Sequence, residues 1–181
     1  GYYTDKRSKF YAFAHHVESA EEVKTLLAGY RKKYYDARHI CWAYRLGPAG
    51  EDFRMNDDGE PSSTAGKPIY GQMLSHELTD IVVFVVRYYG GVNLGTSGLI
   101  VAYREATIDA LNNAEIEERI VESLIEFSFP YSMINGVMKV VKELNPRVVD
   151  QTFDNTCTIK LAIRESMAEQ LQQRLGKLSF E

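Results

Sequence analysis

DIVVFVVRYYGGVNLGTSGLIVAYREATIDALNNA, residues Asp80 to Ala114, is the stretch around which the rest of the chain is organised. Its apolar run from Ile81 to Val86, β-branched apart from Phe84, reads as a strand buried on both faces. Gly90 and Gly91, then Gly95 and Gly98, punctuate the following loop. Leu99, Ala102, Tyr103, Ala106, Ala110 and Ala114 then share one helical face, with Thr96 or Ser97 placed as N-cap. Strand, glycine loop and helix either make a turn or offer backbone N–H groups and a positive dipole end to an anion such as phosphate. The Walker A loop and the GxGxxG turn are both incomplete here.

Upstream, Lys9 to Val17 alternates as a strand, with Phe10, Ala12 and Ala14 on one side and Tyr11 and Phe13 on the other. Ser19 and Glu22 form a capping box for a helix that carries Val23, Leu26, Leu27, Tyr30 and Tyr34 on its apolar side. Arg31, Lys32 and Lys33 close that helix, where they complement its dipole. His39 to Leu46 is the next strand, and it sets His39, Cys41, Ala43 and Arg45 against Ile40, Trp42, Tyr44 and Leu46. His39 and Cys41 on one face suggest a metal or thiol site, but no further ligand pair completes the set, so a part-buried strand face is expected.

Glu51 to Lys67 is polar. Asp57, Asp58 and Glu60 miss the EF-hand spacing, and Asp58-Gly59 is a turn signal, so no metal is expected. Ser62, Ser63 and Thr64 supply cap hydroxyls for a helix from Pro68 to about His76, with Lys67 at its mouth.

Beyond Ala114, the run Glu115, Glu117, Glu118 marks a boundary and divides the chain into residues 1–117 and 118–181. The second part reads strand Ile120–Phe129, helix Ser132–Leu144, strand Arg147–Phe153, strand Cys157–Arg164, helix Ser166–Leu175. Ser166 and Glu169 form a capping box, Gly176 stops the last helix, and a final strand begins at Leu178 without finishing. This β-α-β-β-α order is the ferredoxin-like split pattern lacking its last strand.

The 181 residues, 45% hydrophobic and 25% charged, are ordinary for a globular protein. No run approaches a membrane span. Two distant cysteines and no leader-like opening lead us to expect reduced thiols in a cytoplasmic protein. A net charge of −4 argues against indiscriminate nucleic-acid binding and leaves a local basic patch open.

DDGEPSSTAGKPI (Asp57–Ile69) and RYYGGVNLGTSGLIVAY (Arg87–Tyr103), in this order, closely resemble the hallmark motifs of the YigZ/IMPACT family. HICWAYRLG and SKFYAFA resemble family segments as well. The resemblance implies a two-domain α+β protein: an N-terminal βαβ-type domain similar to domain IV of elongation factor G, and a ferredoxin-like C-terminal domain similar to its domain V. It points toward RNA, the ribosome or a translation-control partner, with no established catalytic activity and no cofactor. Its eukaryotic members restrain a starvation-responsive initiation-factor kinase through a further domain not found in this sequence. This chain departs from the pattern at Asn93, where lysine is common, and at Ser63, Ser97, Arg104 and Glu105, which replace glycines.

The matched residues that define a candidate nucleic-acid or anion surface are Lys67, Arg87, Tyr88, Tyr89, Gly95, Thr96 and Gly98. Lysine and arginine would meet phosphates, and one of the two tyrosines would stack on an unpaired base. Two other readings stand beside RNA or ribosome binding. One is an enzyme that holds a phosphorylated small molecule at the glycine loop, and the other is a module that binds a regulatory protein.

Overall fold

Residues 1–178 are described by the computed structural model, which divides into two units, Gly1–Ile116 and Glu117–Glu181. The first unit is built on a five-stranded sheet. Its strands are β1 (Tyr2–Asp5), β2 (Ser8–His16), β3 (His39–Leu46), β4 (Asp52–Asn56) and β5 (Ile81–Tyr88), in the order β1-β2-β5-β3-β4. Every neighbouring pair is antiparallel. β2 and β3 therefore run parallel to each other with β5 between them, so the connection through α1 (Ala20–Lys33) is a split βαβ crossover.

Alternation along the strands decides what each face carries. Phe10, Ala12, Cys41, Ala43, Val83 and Val85 pack against α2 (Gly66–Ser75) and α3 (Gly95–Asn112) through Ile69, Met73, Leu99, Ala102, Tyr103 and Ala106. Ile40, Trp42, Tyr44, Val82, Phe84 and Val86 face α1 through Val23, Leu26, Leu27 and Tyr30. Val82 to Arg87 are buried without interruption, as expected of a central strand covered on both sides. Each large apolar side chain buried there contributes roughly 1.5–3 kcal/mol.

The second unit is a three-stranded sheet of β6 (Glu122–Pro130), β7 (Arg147–Phe153) and β8 (Thr156–Arg164), in the order β6-β8-β7. A 3₁₀ turn (Tyr131–Met133) leads into α4 (Ile134–Leu144). With α5 (Glu165–Leu178), α4 covers one sheet face through Val137, Val140, Leu171 and Leu175. Asn145, left-handed at φ 52°, ends α4 just before Pro146.

Several local expectations change. β1 and β4 are strands that the sequence pattern does not announce. Glu22 accepts from the N–H of Glu18 rather than of Ser19, while Ser19 Oγ accepts from Glu22 N as expected. α2 begins at Gly66, and α5 begins at Glu165 and passes through Gly176 to Leu178. The Glu169 carboxylate accepts from Gln173 rather than closing a box with Ser166. The final strand expected from Leu178 falls on residues 179–181, outside the described residues. Among the described residues no helix is long and apolar enough to cross a membrane.

Candidate nucleic-acid interface

The polar segment between β4 and α2 does structural work at both of its acidic ends. Asp57 accepts from the backbone N–H of Ser63 (2.9 Å), Ala65 (3.1 Å) and Gly66 (2.9 Å), so its carboxylate occupies the N-terminal end of α2. The positive end of the helix dipole is thus met by an anion of the chain itself. Ser62, Ser63 and Thr64 are not its caps: the N-cap position is Ala65, with no side-chain bond. Lys67 is exposed at the second position of α2 and has no carboxylate in ion-pair range among the described residues.

Glu60 anchors the other end. Its carboxylate, 3% exposed, accepts from Arg87 Nη1 at 2.7 and 2.8 Å, from Tyr103 Oη at 2.9 Å and from His39 Nε2 at 2.8 Å. His39 Nδ1 faces the Asp58 carbonyl at 2.6 Å. The Cys41 thiol lies 3.3 Å from Tyr103 Oη and 3.2 Å from the Asp57 carbonyl, with one proton to give. Burial pushes both the Cys41 thiol and the Tyr103 hydroxyl well up. A buried thiol held protonated is the opposite of an activated nucleophile. Arg87 is therefore a correction to the sequence reading. It is a buried ion-pair partner and presents no free guanidinium to a phosphate.

Gly95, at φ 72°, and Thr96 are exposed at the start of α3, and Gly98 lies half-buried inside that helix. The N-cap is Leu94, without a side-chain bond, in place of Thr96 or Ser97.

The tyrosines converge on something larger. Arg7, Lys9, Tyr11, Tyr88 and Tyr89 line one open cleft of about 420 Å³. Lys9 stands directly opposite Tyr88 across the β2–β5 ladder, and the Tyr11 and Tyr88 rings meet edge-on at 6.2 Å. Tyr88 Oη donates to Asp36 at 2.9 Å, and burial first, then that carboxylate, push its hydroxyl up to about 12. Tyr89 lies just past the strand end. Its ring carries the Arg38 guanidinium at 5.0 Å, and its hydroxyl donates to Asn93 in the glycine loop. Both tyrosines thus line the cleft, Tyr88 while packing against the core on the α1 side of the sheet and Tyr89 as the more exposed of the two. Lys67, Gly95, Thr96 and Gly98 are not among its lining residues.

Arg7, Lys9, Tyr11 and Arg38 are the residues the sequence reading did not assemble. Their one visible signal is the run Lys6-Arg7-Ser8-Lys9. Lys6 and Arg7 form the two-residue β1–β2 turn with φ of 45° and 69°. Asn-Gly is the usual occupant of such a turn, and two non-glycine residues there cost on the order of 1 kcal/mol each. The turn rests on Gly90, where a Cβ would come within 2.2 Å of the Arg7 backbone. Lys6, Arg7, Lys9 and Arg38 have no carboxylate within ion-pair distance among the described residues.

Split-crossover sheet, buried Glu60 network and second α/β unit together define a two-domain α+β protein. Residues 6–111 match the family model described as the Impact N-terminal domain, and the chain belongs to the IMPACT family. An IMPACT family member of Haemophilus influenzae is 31% identical over 96% of this chain and 85% of its own length. The IMPACT family member YigZ of Escherichia coli is 27% identical, covering 96% and 86%. A solved structure described as that of a hypothetical protein superposes with a TM-score of 0.70 at 26% identity, over 99% of this chain and 88% of that one.

Proposed function

We propose that this protein is a non-enzymatic RNA-binding protein that associates with the ribosome and acts in the regulation of translation. The observation that carries the reading is the cleft: three tyrosines beside Arg7 and Lys9, neither of which has a carboxylate in ion-pair range among the described residues, in a chain whose net charge is −4. Unneutralised cations beside aromatic rings are what phosphates and bases recognise together. Lys67, Gly95, Thr96 and Gly98 stand as a secondary anion-contacting edge of the same unit. The alternative of a phosphate-binding enzyme rests on the glycine loop before α3, whose Gly95 and Thr96 are exposed, and Asp57 at the N-terminal end of α2 does not bear on it.

Ribosome co-sedimentation and fluorescence anisotropy with a mixed-sequence RNA, each over a salt series, test the reading. Affinity is expected to fall steeply with salt, and the variant Arg7→Ala/Lys9→Ala to flatten the log–log slope by about 1.4, at about 0.7 per phosphate contact on a single strand. Salt-insensitive binding, or none at low salt, defeats it.

A further inference from the structure

We infer that the ligand of the cleft is unpaired, and that the strand continues from the cleft onto the C-terminal end of α1. This rests on the RNA-binding reading above and names the form of RNA that the site takes. Two hydrogen-bonded or stacked links join the cleft to the segment that follows α1: Tyr88 Oη to Asp36, and the Arg38 guanidinium over Tyr89. The aromatic floor therefore has cations on two sides, with Arg7 and Lys9 from the β1–β2 hairpin on one and Arg38 on the other.

In the last turn of α1 and just beyond it lie Lys32, with no ion pair among the described residues, and Tyr35, which is 84% exposed. Dipole complementarity accounts for basic residues at a helix end, and an exposed ring beside them adds a face on which a base can stack. Arg31, by contrast, is engaged with Asp58 at 3.9 Å.

Paired bases are already stacked on both faces, and a duplex offers a protein its backbone and groove edges. Rings set in a cleft can reach only bases that are free of the stack, whereas the rim cations can meet any phosphate. The Arg38–Tyr89 pair adds a guanidinium plane, a second surface on which an unpaired base stacks. The two-residue turn Lys6-Arg7 brings β1 back into β2 and places Arg7 among the residues that line the cleft.

The test compares a short fluorescent single-stranded RNA with the same strand annealed to its full complement, using the intact chain. Variants are Tyr89→Ala, Tyr89→Phe and Lys32→Ala/Lys33→Ala, all at exposed side chains, with circular dichroism as the folding control. The single strand is expected to bind about tenfold tighter than the duplex. Tyr89→Ala removes about tenfold of single-strand affinity and leaves duplex affinity unchanged, and Tyr89→Phe restores it. Lys32→Ala/Lys33→Ala weakens the single strand and flattens its salt slope. Equal, salt-dependent binding of both forms, unaffected by Tyr89→Ala, overturns this inference and leaves RNA binding standing. If neither form binds, both fall.

Discussion

Arg87 gives one guanidinium nitrogen to both oxygens of Glu60, at 2.7 and 2.8 Å, with both side chains almost fully buried. Twenty-seven residues separate the two in sequence, and the pair ties the loop before α2 to the central strand. Removing either partner strands a charge in the core. Arg87→Ala and Glu60→Ala are each expected to cost ~3–5 kcal/mol, read as a lower urea midpoint at unchanged m-value. A midpoint within error of the parent would remove the pair from the account of stability.

Asp57 and Lys67 separate structural from surface roles at the same helix end. Asp57→Ala frees three backbone donors at once and is expected to destabilise by on the order of 2 kcal/mol. Lys67→Ala, at an exposed position, should stay within about 0.5 kcal/mol. Thermal melts of the two variants side by side check the contrast.

Alkaline stability should reflect the buried thiol. The folded chain keeps the Cys41 proton, because burial raises that group, whereas the unfolded chain releases it near the ordinary thiol value. The unfolded state then binds fewer protons, so stability is intact below about pH 8.5 and falls above it by about 1.4 kcal/mol per pH unit. Tyr103 adds a second loss above about pH 10 for the same reason. Cys41→Ala should move the onset up to the tyrosine range, as measured by urea midpoints from pH 7 to 11, a window of about four units.

Stability and binding should move in opposite directions at the β1–β2 hairpin. Replacing Lys6-Arg7 by Asn-Gly relieves two left-handed residues and is expected to stabilise by about 1–2 kcal/mol. The same change removes Arg7 from the cleft lining, along with the adjacent Lys6, and should weaken RNA binding. Calorimetry and anisotropy on one preparation test both halves. A variant that is both more stable and equally tight would show that the strain serves something else.

Legibility tracked periodicity. His39–Leu46 and the α3 face through Leu99, Ala102, Tyr103 and Ala106 could be read because a period of two or 3.6 survives wherever one side is buried. β1 and β4 could not: each is an edge strand of four or five mostly exposed residues, held by its ladder rather than by an apolar pattern. The cap of α2 escaped notice because Asp57 reaches it from eight and nine residues upstream. Two of the cleft's three tyrosines, Tyr88 and Tyr89, were visible, while Tyr11 and the cations were not, since Lys9 meets Tyr88 only across the sheet. Arg87 was misplaced because nothing local to it announces Glu60.

The split crossover also bears on the order in which the chain can assemble. β1–β2 and β3–β4 are hairpins whose partners lie close in sequence, so each can form early. Neither hairpin touches the other through hydrogen bonds, because the strand between them, β5, is the last of the five along the chain. Until residues 81–88 have been made, the inner edges of β2 and β3 have no ladder partner, and an isolated two-stranded hairpin is only marginally stable, so the sheet is completed when its central strand arrives.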